Sequence, residues 1–126
     1  MEIIRHDMCK HFARVTEYNG VLYFTGHIAA GKQPTMTEQM VALTHRLDEL
    51  LEQFGSDKNH ILYAKINIHD WSMFDEFNAV WDAWFDPGCM PARTTAQSVL
   101  TDGYLVEITL TAAKICETST IFPSTP

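Results

Sequence analysis

The chain has 126 residues, of which 46% are hydrophobic, and this size suits one domain that buries most of its apolar surface. Sixteen acidic and nine basic side chains give a formal net charge of -7, which disfavours binding to the phosphates of a nucleic acid. The apolar runs are short and the N-terminus is charged, so we expect no export, no membrane insertion and a cytoplasmic location.

The cysteines and histidines do not form a recognisable metal-binding pattern. Cys9, Cys89 and Cys116 are odd in number and scattered, so we expect reduced thiols and no disulfide framework. Among the six histidines, the nearest approach to a ligand pair is the adjacent His69 and Asp70. Neighbours in a strand point to opposite faces, so the sequence predicts no metal site.

The first half of the chain predicts a strand, a hairpin and a helix. A short strand is expected near residues 2–5, and Asn19-Gly20 then joins FARVTEY to VLYFTG in a tight hairpin turn. Thr35 and Glu38 have the spacing of a capping box before a run of helical periodicity. Gly55 is placed to end that helix near Phe54.

A half-buried strand and a second helix follow. Alternation over residues 61–68 places one set of apolar side chains on the inner side: Leu62, Ala64, Ile66 and Ile68. Asp70 or Ser72 can cap the next helix, which Asp86-Pro87-Gly88 ends. An aromatic stripe typical of a core runs along this helix: Phe74, Phe77, Trp81, Trp84 and Phe85. Asn78 lies on or beside the stripe, where a buried amide needs hydrogen-bond partners.

The last part of the domain predicts a second antiparallel hairpin, in which Asp102-Gly103 joins RTTAQSVL to YLVEITLTAA. One side of the final strand is apolar: Val106, Ile108, Leu110 and Ala112. Glu107 lies on the other side among threonines. Arg93 and Glu107 would then share a hairpin without being directly opposed.

These elements predict an α+β domain over residues 1–114, with a six-stranded mixed sheet and two helices on one face. The segment ETSTIFPSTP loses periodicity, so residues 115–126 are expected to form a C-terminal tail. The other face of the sheet carries tyrosine and threonine with few charges. Packing that face against sister subunits is the simplest way to cover it.

Arg93, in the stretch MPARTTAQ, is the main candidate for chemistry. A guanidinium binds a carboxylate through two parallel hydrogen bonds and stays charged, while a nearby glutamate can orient or deprotonate water. Arg93 and Glu107 together therefore outline a hydrolytic site for a small organic acid. A structural ion pair or a solvated arginine is the alternative that composition alone favours.

Four stretches resemble the RidA/YjgF family of reactive-intermediate deaminases, and in particular its YoaB-like branch: TGHIA, FNAVWDAWF, PGCMPART and GYLVEITLTAA. The resemblance covers the chain from about residue 12 to residue 114. It implies a chorismate-mutase-like fold, a homotrimer with sites in the clefts between subunits, and no metal or organic cofactor.

The resemblance also implies an activity and the residues that perform it. Arg93 would hold the carboxylate of an enamine or imine acid such as 2-aminoacrylate, and Glu107 would position the water that hydrolyses it to a 2-keto acid and ammonia. The other positions that the resemblance assigns to substrate binding are Phe12, Thr25, Gly26, Asn78 and Thr95.

Two of those positions differ from the family pattern. Phe12 stands where the best-known members have a tyrosine, and Thr95 where many have a cysteine. These differences leave a second hypothesis open, a trimeric protein that binds small carboxylates such as keto acids without turnover. A purely structural oligomer would leave Arg93 and Glu107 unexplained, and a ribonuclease is disfavoured by the acidic net charge.

Overall fold

A computed structural model describes residues 1–116, which form a six-stranded mixed sheet covered on one face by two α-helices. The strands are β1 (Ile4–Met8), β2 (Ala13–Tyr18), β3 (Val21–His27), β4 (Ile61–Ile68), β5 (Ala92–Gln97) and β6 (Val106–Ala113), and the helices are α1 (Met36–Gln53) and α2 (Phe74–Trp84). The spatial order is β1-β2-β3-β6-β4-β5. The predicted α+β class is confirmed, while most of the predicted tail, residues 117–126, lies outside the described residues.

The N-terminal hairpin forms as predicted. Asn19 and Gly20 have φ values of 52° and 79°, the left-handed conformations that a tight turn between right-twisted strands requires. The turn joins β2 and β3 in antiparallel register. The first strand begins later than expected, at Ile4, and pairs antiparallel with β2 at one edge of the sheet.

Both ends of α1 have the caps that the sequence predicts. The Thr35 hydroxyl accepts a hydrogen bond from the backbone N–H of Glu38 (3.1 Å) and donates one to the Glu38 carboxylate (2.9 Å). At the other end Gly55 adopts φ 82°, and the backbone N–H of Ser56 donates to the carbonyl of Leu51 at 2.9 Å. These bonds satisfy the last carbonyls of the helix.

The alternation predicted for β4 fails at its start. A register irregularity between Ile61 and Tyr63 turns Ile61 into the core and leaves Leu62 48% exposed. From Ala64 onward the prediction is confirmed, because Ala64, Ile66 and Ile68 are fully buried under the helices.

The predicted second hairpin is wrong. Strands β5 and β6 do not pair, because β4 lies between them, parallel to β5 and antiparallel to β6. Gly103 does form a turn, with φ 87°, but that turn belongs to the loop of residues 98–105. A loop of this length easily spans the roughly 10 Å across an intervening strand. The turn signal was therefore correct, and the pairing inferred from it was not.

The core lies between the sheet and the helices. Strand β6 supplies its centre, since Val106, Ile108, Leu110 and Ala112 are all buried as predicted. On α2, Phe77 stacks on Trp81 with ring centroids 5.8 Å apart. Within residues 1–116, neither helix is long and apolar enough to cross a membrane.

A buried ionic cluster ties β1 and β6 to β2. The Glu17 carboxylate on β2 accepts hydrogen bonds from Lys114 Nζ at 3.0 and 3.3 Å and lies 3.2 Å from His6 Nε2. Burial raises the pKa of Glu17, but the hydrogen bonds and charges of Lys114 and His6 outweigh burial and leave the pKa below its usual value.

We expect Glu17→Gln to destabilise the protein by about 2 kcal/mol at pH 7, because hydrogen bonds between charged groups are lost. A carboxyl group whose pKa is lower in the folded state stabilises the fold at pH values above its unfolded pKa of 4.5. This contribution is lost as the pH falls through the folded pKa. The loss of stability below pH 4.5 should therefore be shallower in the variant. Urea unfolding across pH measures this, with the exposed Glu49→Gln as control, and equal stability of variant and wild type at pH 7 would contradict it.

Candidate active site

A bulge in β3 sets the geometry of the candidate site. Tyr23 is paired with Thr111 and Gly26 with Thr109, so two residues of β3 lie opposite a single residue of β6. A bulge of this kind re-aims the side chains that follow it. Tyr23 and Gly26 consequently lie on the same side, the face of the sheet away from the helices. We call it the open face, and its residues include Tyr23, Lys65, Asn67, Glu107, Thr109 and Thr111.

Glu107 occupies the middle of the open face, directly against Gly26. A Cβ atom added at Gly26 would lie 2.8 Å from Glu107 Oε2 and 2.9 Å from Glu107 Cδ. Glycine is therefore the residue that lets the carboxylate approach the backbone of β3 so closely. Asn67 Nδ2 donates a 3.3 Å hydrogen bond to the other oxygen, Glu107 Oε1. Within residues 1–116, no basic side chain forms a salt bridge with this carboxylate.

Three of the predicted substrate-binding residues, Phe12, Thr25 and Gly26, line one cavity of about 370 Å³. This volume falls in the range of small-molecule sites, roughly 300–1,000 Å³. The Phe12 side chain lies at its rim and the residue is 51% exposed. Four lining residues were not predicted as site residues: Arg14, His27, Ile28 and Arg46.

His27 is the buried member of that group. Its Nδ1 lies 2.8 Å from the carbonyl oxygen of Thr25, and because a carbonyl only accepts, Nδ1 carries the proton. Burial lowers the pKa of His27, and Arg46 and Arg14 lower it too, against the opposing effects of the Thr25 bond and Glu107. The imidazole is therefore neutral near pH 7, with Nε2 as an acceptor. The bulge that turns His27 inward has no local sequence signal.

Arg93 lies on the other face of the sheet, toward the helices. It is in register with the buried Ala64, and its guanidinium packs over three rings of α2. The guanidinium carbon is 5.7 Å from the ring centroid of Phe74, 5.4 Å from that of Phe77 and 5.8 Å from that of Trp81. Within residues 1–116 it forms neither a salt bridge nor a hydrogen bond, so the ion-pair alternative finds no partner there.

Asn78 and Thr95 accompany Arg93 on this face. Thr95 is two residues further along β5 and in register with the buried Ile66, while Asn78 follows Phe77 on α2. Asn78 Oδ1 and Thr95 Oγ1 are both buried without a hydrogen-bond partner in the part of the chain described. Buried polar atoms are normally hydrogen-bonded. These two atoms and the free guanidinium therefore form a polar group with unused bonding capacity.

The predicted site residues thus fall into two sets. Phe12, Thr25 and Gly26 line the cavity, with Glu107 on the open face against Gly26, whereas the second set lies on β5 and α2: Asn78, Arg93 and Thr95. Arg93 pairs with Ala64 of β4, and Glu107 pairs with Asn67 of the same strand. Ala64 and Asn67 are three positions apart, so their side chains point to opposite faces of the sheet. One chain therefore does not bring Arg93 and Glu107 together. The expectation that they share a hairpin is also wrong, because β4 lies between their strands.

Comparison with known proteins agrees with this architecture. The family described as Endoribonuclease L-PSP matches residues 4–114. The RutC family protein YoaB of Escherichia coli (strain K12) is 35% identical over 114 residues, 90% of this chain and 99% of the relative. A RutC family protein of Haemophilus ducreyi is 30% identical over 112 residues, 88% of this chain and 96% of the relative.

A solved structure gives the same result. The crystal structure of a YjgF protein family member from Neisseria meningitidis has a TM-score of 0.85 and 32% identity, covering 92% of this chain and 98% of the other. The fold is therefore that of the YjgF-type α+β domains. The chain belongs to the RidA/YjgF family, as the motifs around Thr25, Asn78, Arg93 and Glu107 predict.

Proposed function

We propose that this protein hydrolyses reactive enamine and imine acids to 2-keto acids and ammonia, at a site shared between neighbouring copies of the chain. The observation that supports this most is the state of Arg93. Its guanidinium packs over aromatic rings of α2 and forms no salt bridge within residues 1–116, and the same two elements, β5 and α2, carry the unpaired polar atoms of Thr95 and Asn78. That environment suits a small carboxylate, which would take both parallel hydrogen bonds of the guanidinium.

The separation of Arg93 from Glu107 is the reason for proposing a shared site. A ring of identical subunits joins two different surfaces at each interface, and a homotrimer is the smallest such ring. The open face suits the role of one surface, because it holds Tyr23, Tyr63 and a row of threonines at partial exposure. The β5 edge, which holds Arg93, would be the other. Each interface would then place Arg93 of one subunit opposite Glu107 of the next.

In the proposed reaction the substrate carboxylate binds Arg93, and the imine carbon faces Glu107. Glu107 Oε2 takes a proton from water as the oxygen attacks that carbon, and passes this proton to the imine nitrogen to give a carbinolamine. Glu107 then transfers the hydroxyl proton of the carbinolamine to the nitrogen, the C–N bond breaks, ammonia leaves, and the oxygen forms the keto group. Water supplies the oxygen, so no oxidant or reductant is needed. Holding carboxylate, carbon and water in line supplies the barrier reduction.

The direct test generates imino acids in place with an amino-acid oxidase and traps the remaining imine with semicarbazide. We expect the protein to lower semicarbazone formation in proportion to its concentration, because hydrolysis competes with trapping. If the imines of alanine, 2-aminobutanoate and leucine are all lost no faster with the protein than in buffer alone, the proposal is wrong. Calorimetry with 2-oxobutanoate gives the competing outcome, since tight binding without turnover would indicate the carboxylate-binding hypothesis.

A ribonuclease function is less well supported. The matching family carries that activity in its description, but a net charge of -7 opposes the binding of a polyanion.

We expect Gly26→Ala to lower kcat strongly while leaving the fold intact. The backbone of Gly26 does not have positive φ, so alanine is tolerated there, but its Cβ would displace the Glu107 carboxylate from 2.8 Å away. Misplacing a catalytic group by about 1 Å costs on the order of 100-fold in rate. Steady-state kinetics together with thermal unfolding check this. Full activity in a folded Gly26→Ala variant would mean that the position of this carboxylate does not matter.

A further inference from the structure

Resting on the proposed function, we infer that the site is built for 2-imino acids that carry a second anionic group, which Arg14 and Arg46 bind. These two arginines were not among the residues that the sequence singled out. They line the same cavity as Thr25 and Gly26, next to Glu107.

The charge of that cavity is the first reason. Among residues 1–116, Arg14 and Arg46 are the only charged residues that line it, and His27 beside them is neutral. Within residues 1–116 neither guanidinium has a carboxylate oxygen within 4.0 Å. An anion that enters this cavity is attracted by both guanidinium groups.

The orientation of Arg46 is the second reason. Its Nη1 donates a 2.9 Å hydrogen bond to the carbonyl of Ile28, which holds the side chain, extending from α1, against the end of β3. One of its five N–H groups is thereby used, and the others stay available to a ligand. Arg14 comes from β2 and is more exposed, so it can adjust to the ligand.

Two nearby acidic residues do not form salt bridges with these arginines. Asp7 and Glu49 line an adjoining cavity of about 330 Å³, which shares Arg14 and Arg46 with the first. Neither carboxylate reaches within 4.0 Å of a guanidinium there. Among residues 1–116, the lining of the cavity beside Gly26 includes both arginines and no carboxylate.

The size of the cavity is the third reason. A three-carbon imine beside Gly26, the lining residue that Glu107 contacts, would occupy only part of the roughly 370 Å³ available. A substrate with its first carboxylate on Arg93 of the neighbouring subunit and its imine carbon at Glu107 would extend its side chain toward Arg14 and Arg46. A distal carboxylate or phosphate group at that end would pair with them.

The test compares a ligand that has one carboxylate with ligands that also carry a second anionic group. Calorimetry with 2-oxobutanoate, 2-oxoglutarate and 3-phosphohydroxypyruvate measures binding without turnover, and kcat/KM for the imines of 2-aminobutanoate and glutamate measures preference in catalysis. We expect at least one of the two ligands with a second anionic group to bind about tenfold or more tightly than 2-oxobutanoate, and the comparison of 2-oxoglutarate with 3-phosphohydroxypyruvate to show whether a carboxylate or a phosphate is preferred. Equal affinity for all three would overturn the inference.

Matched variants separate this inference from the proposed function. Arg14→Gln should reduce the preference for ligands with a second anionic group over 2-oxobutanoate about tenfold. Arg5→Gln, which removes the same charge from exposed β1, should leave this preference unchanged. Arg46→Gln should do the same as Arg14→Gln, with thermal unfolding to check the loss of the Ile28 bond. An unchanged preference in Arg14→Gln, with hydrolysis of the 2-aminobutanoate imine intact, contradicts this inference alone. Absence of hydrolysis in the wild type contradicts the proposed function, while the calorimetric ratio still tests the arginines.

Discussion

Replacing Arg93 by methionine is expected to lower kcat/KM for imine hydrolysis by a factor of about 10² to 10⁴, because two hydrogen bonds to the substrate carboxylate are lost at about 1.5–3 kcal/mol each. The fold should survive, because methionine is long and apolar enough to fill the pocket formed by Phe74, Phe77 and Trp81. The measurement is steady-state kinetics of semicarbazide-trapped imine, with thermal unfolding in parallel.

Two further variants sharpen that experiment. Arg5→Met removes the same charge from exposed β1 and should behave as wild type. Arg93→Lys keeps the charge but not the planar fork, so we expect activity between those of Arg93→Met and wild type. Wild-type kcat/KM in a folded Arg93→Met protein would show that the carboxylate is held elsewhere.

Glu107→Gln is expected to lower kcat by about 10² to 10⁴ with a change in KM of only a few fold, because an amide cannot take a proton from the attacking water. Gln keeps the shape of the side chain, and its oxygen can still accept the hydrogen bond from Asn67. Burst and steady-state kinetics on the same imines separate binding from chemistry.

The control for Glu107→Gln is Glu52→Gln, on the exposed side of α1, which should leave both constants unchanged. A raised KM with kcat preserved would mean that Glu107 contributes to binding and that another group handles the water. His27, the neutral imidazole next to Gly26, would then be the next candidate for that role.

Local signals in the sequence predicted most of the fold. The turn at Asn19-Gly20, the cap at Thr35 and the alternation of β6 each depend on residues close in the chain, and each is present in the structure. The pairing of β5 with β6 failed because it is a non-local choice. The turn at Gly103 is compatible with either a hairpin or a crossing loop, and the β4–α2–β5 crossover decides between them.

The candidate site was predicted less completely, and for a related reason. Gly26, Asn78 and Arg93 were identified through motifs, but the bulge in β3 that directs Gly26 toward Glu107 leaves no mark in the sequence. Arg46 reaches the cavity from α1, a helix whose pattern shows only its buried stripe. The placement of Arg93 and Glu107 on opposite faces of the sheet could not be predicted either, because it follows from the register of β5 and β6 against β4.

This strand order has a consequence for function. Arg93 lies on the edge strand β5, and Glu107 lies on the open face. In the proposed assembly these two surfaces contact different neighbouring subunits. The proposed shared site would exist only in the assembly, so we expect dilution below the dissociation constant of the oligomer to abolish activity without unfolding the subunits.

Subunit mixing tests the shared site most directly. Arg93→Met and Glu107→Gln proteins, each inactive alone, are unfolded together in urea, refolded and assayed, with each variant refolded separately as control. If Arg93 of one chain works with Glu107 of the next, random mixing restores both groups at about a quarter of the sites, and activity returns to about a quarter of the wild-type level. If the mixture forms mixed oligomers yet stays as inactive as its parents, both groups must act within one chain and the account is wrong.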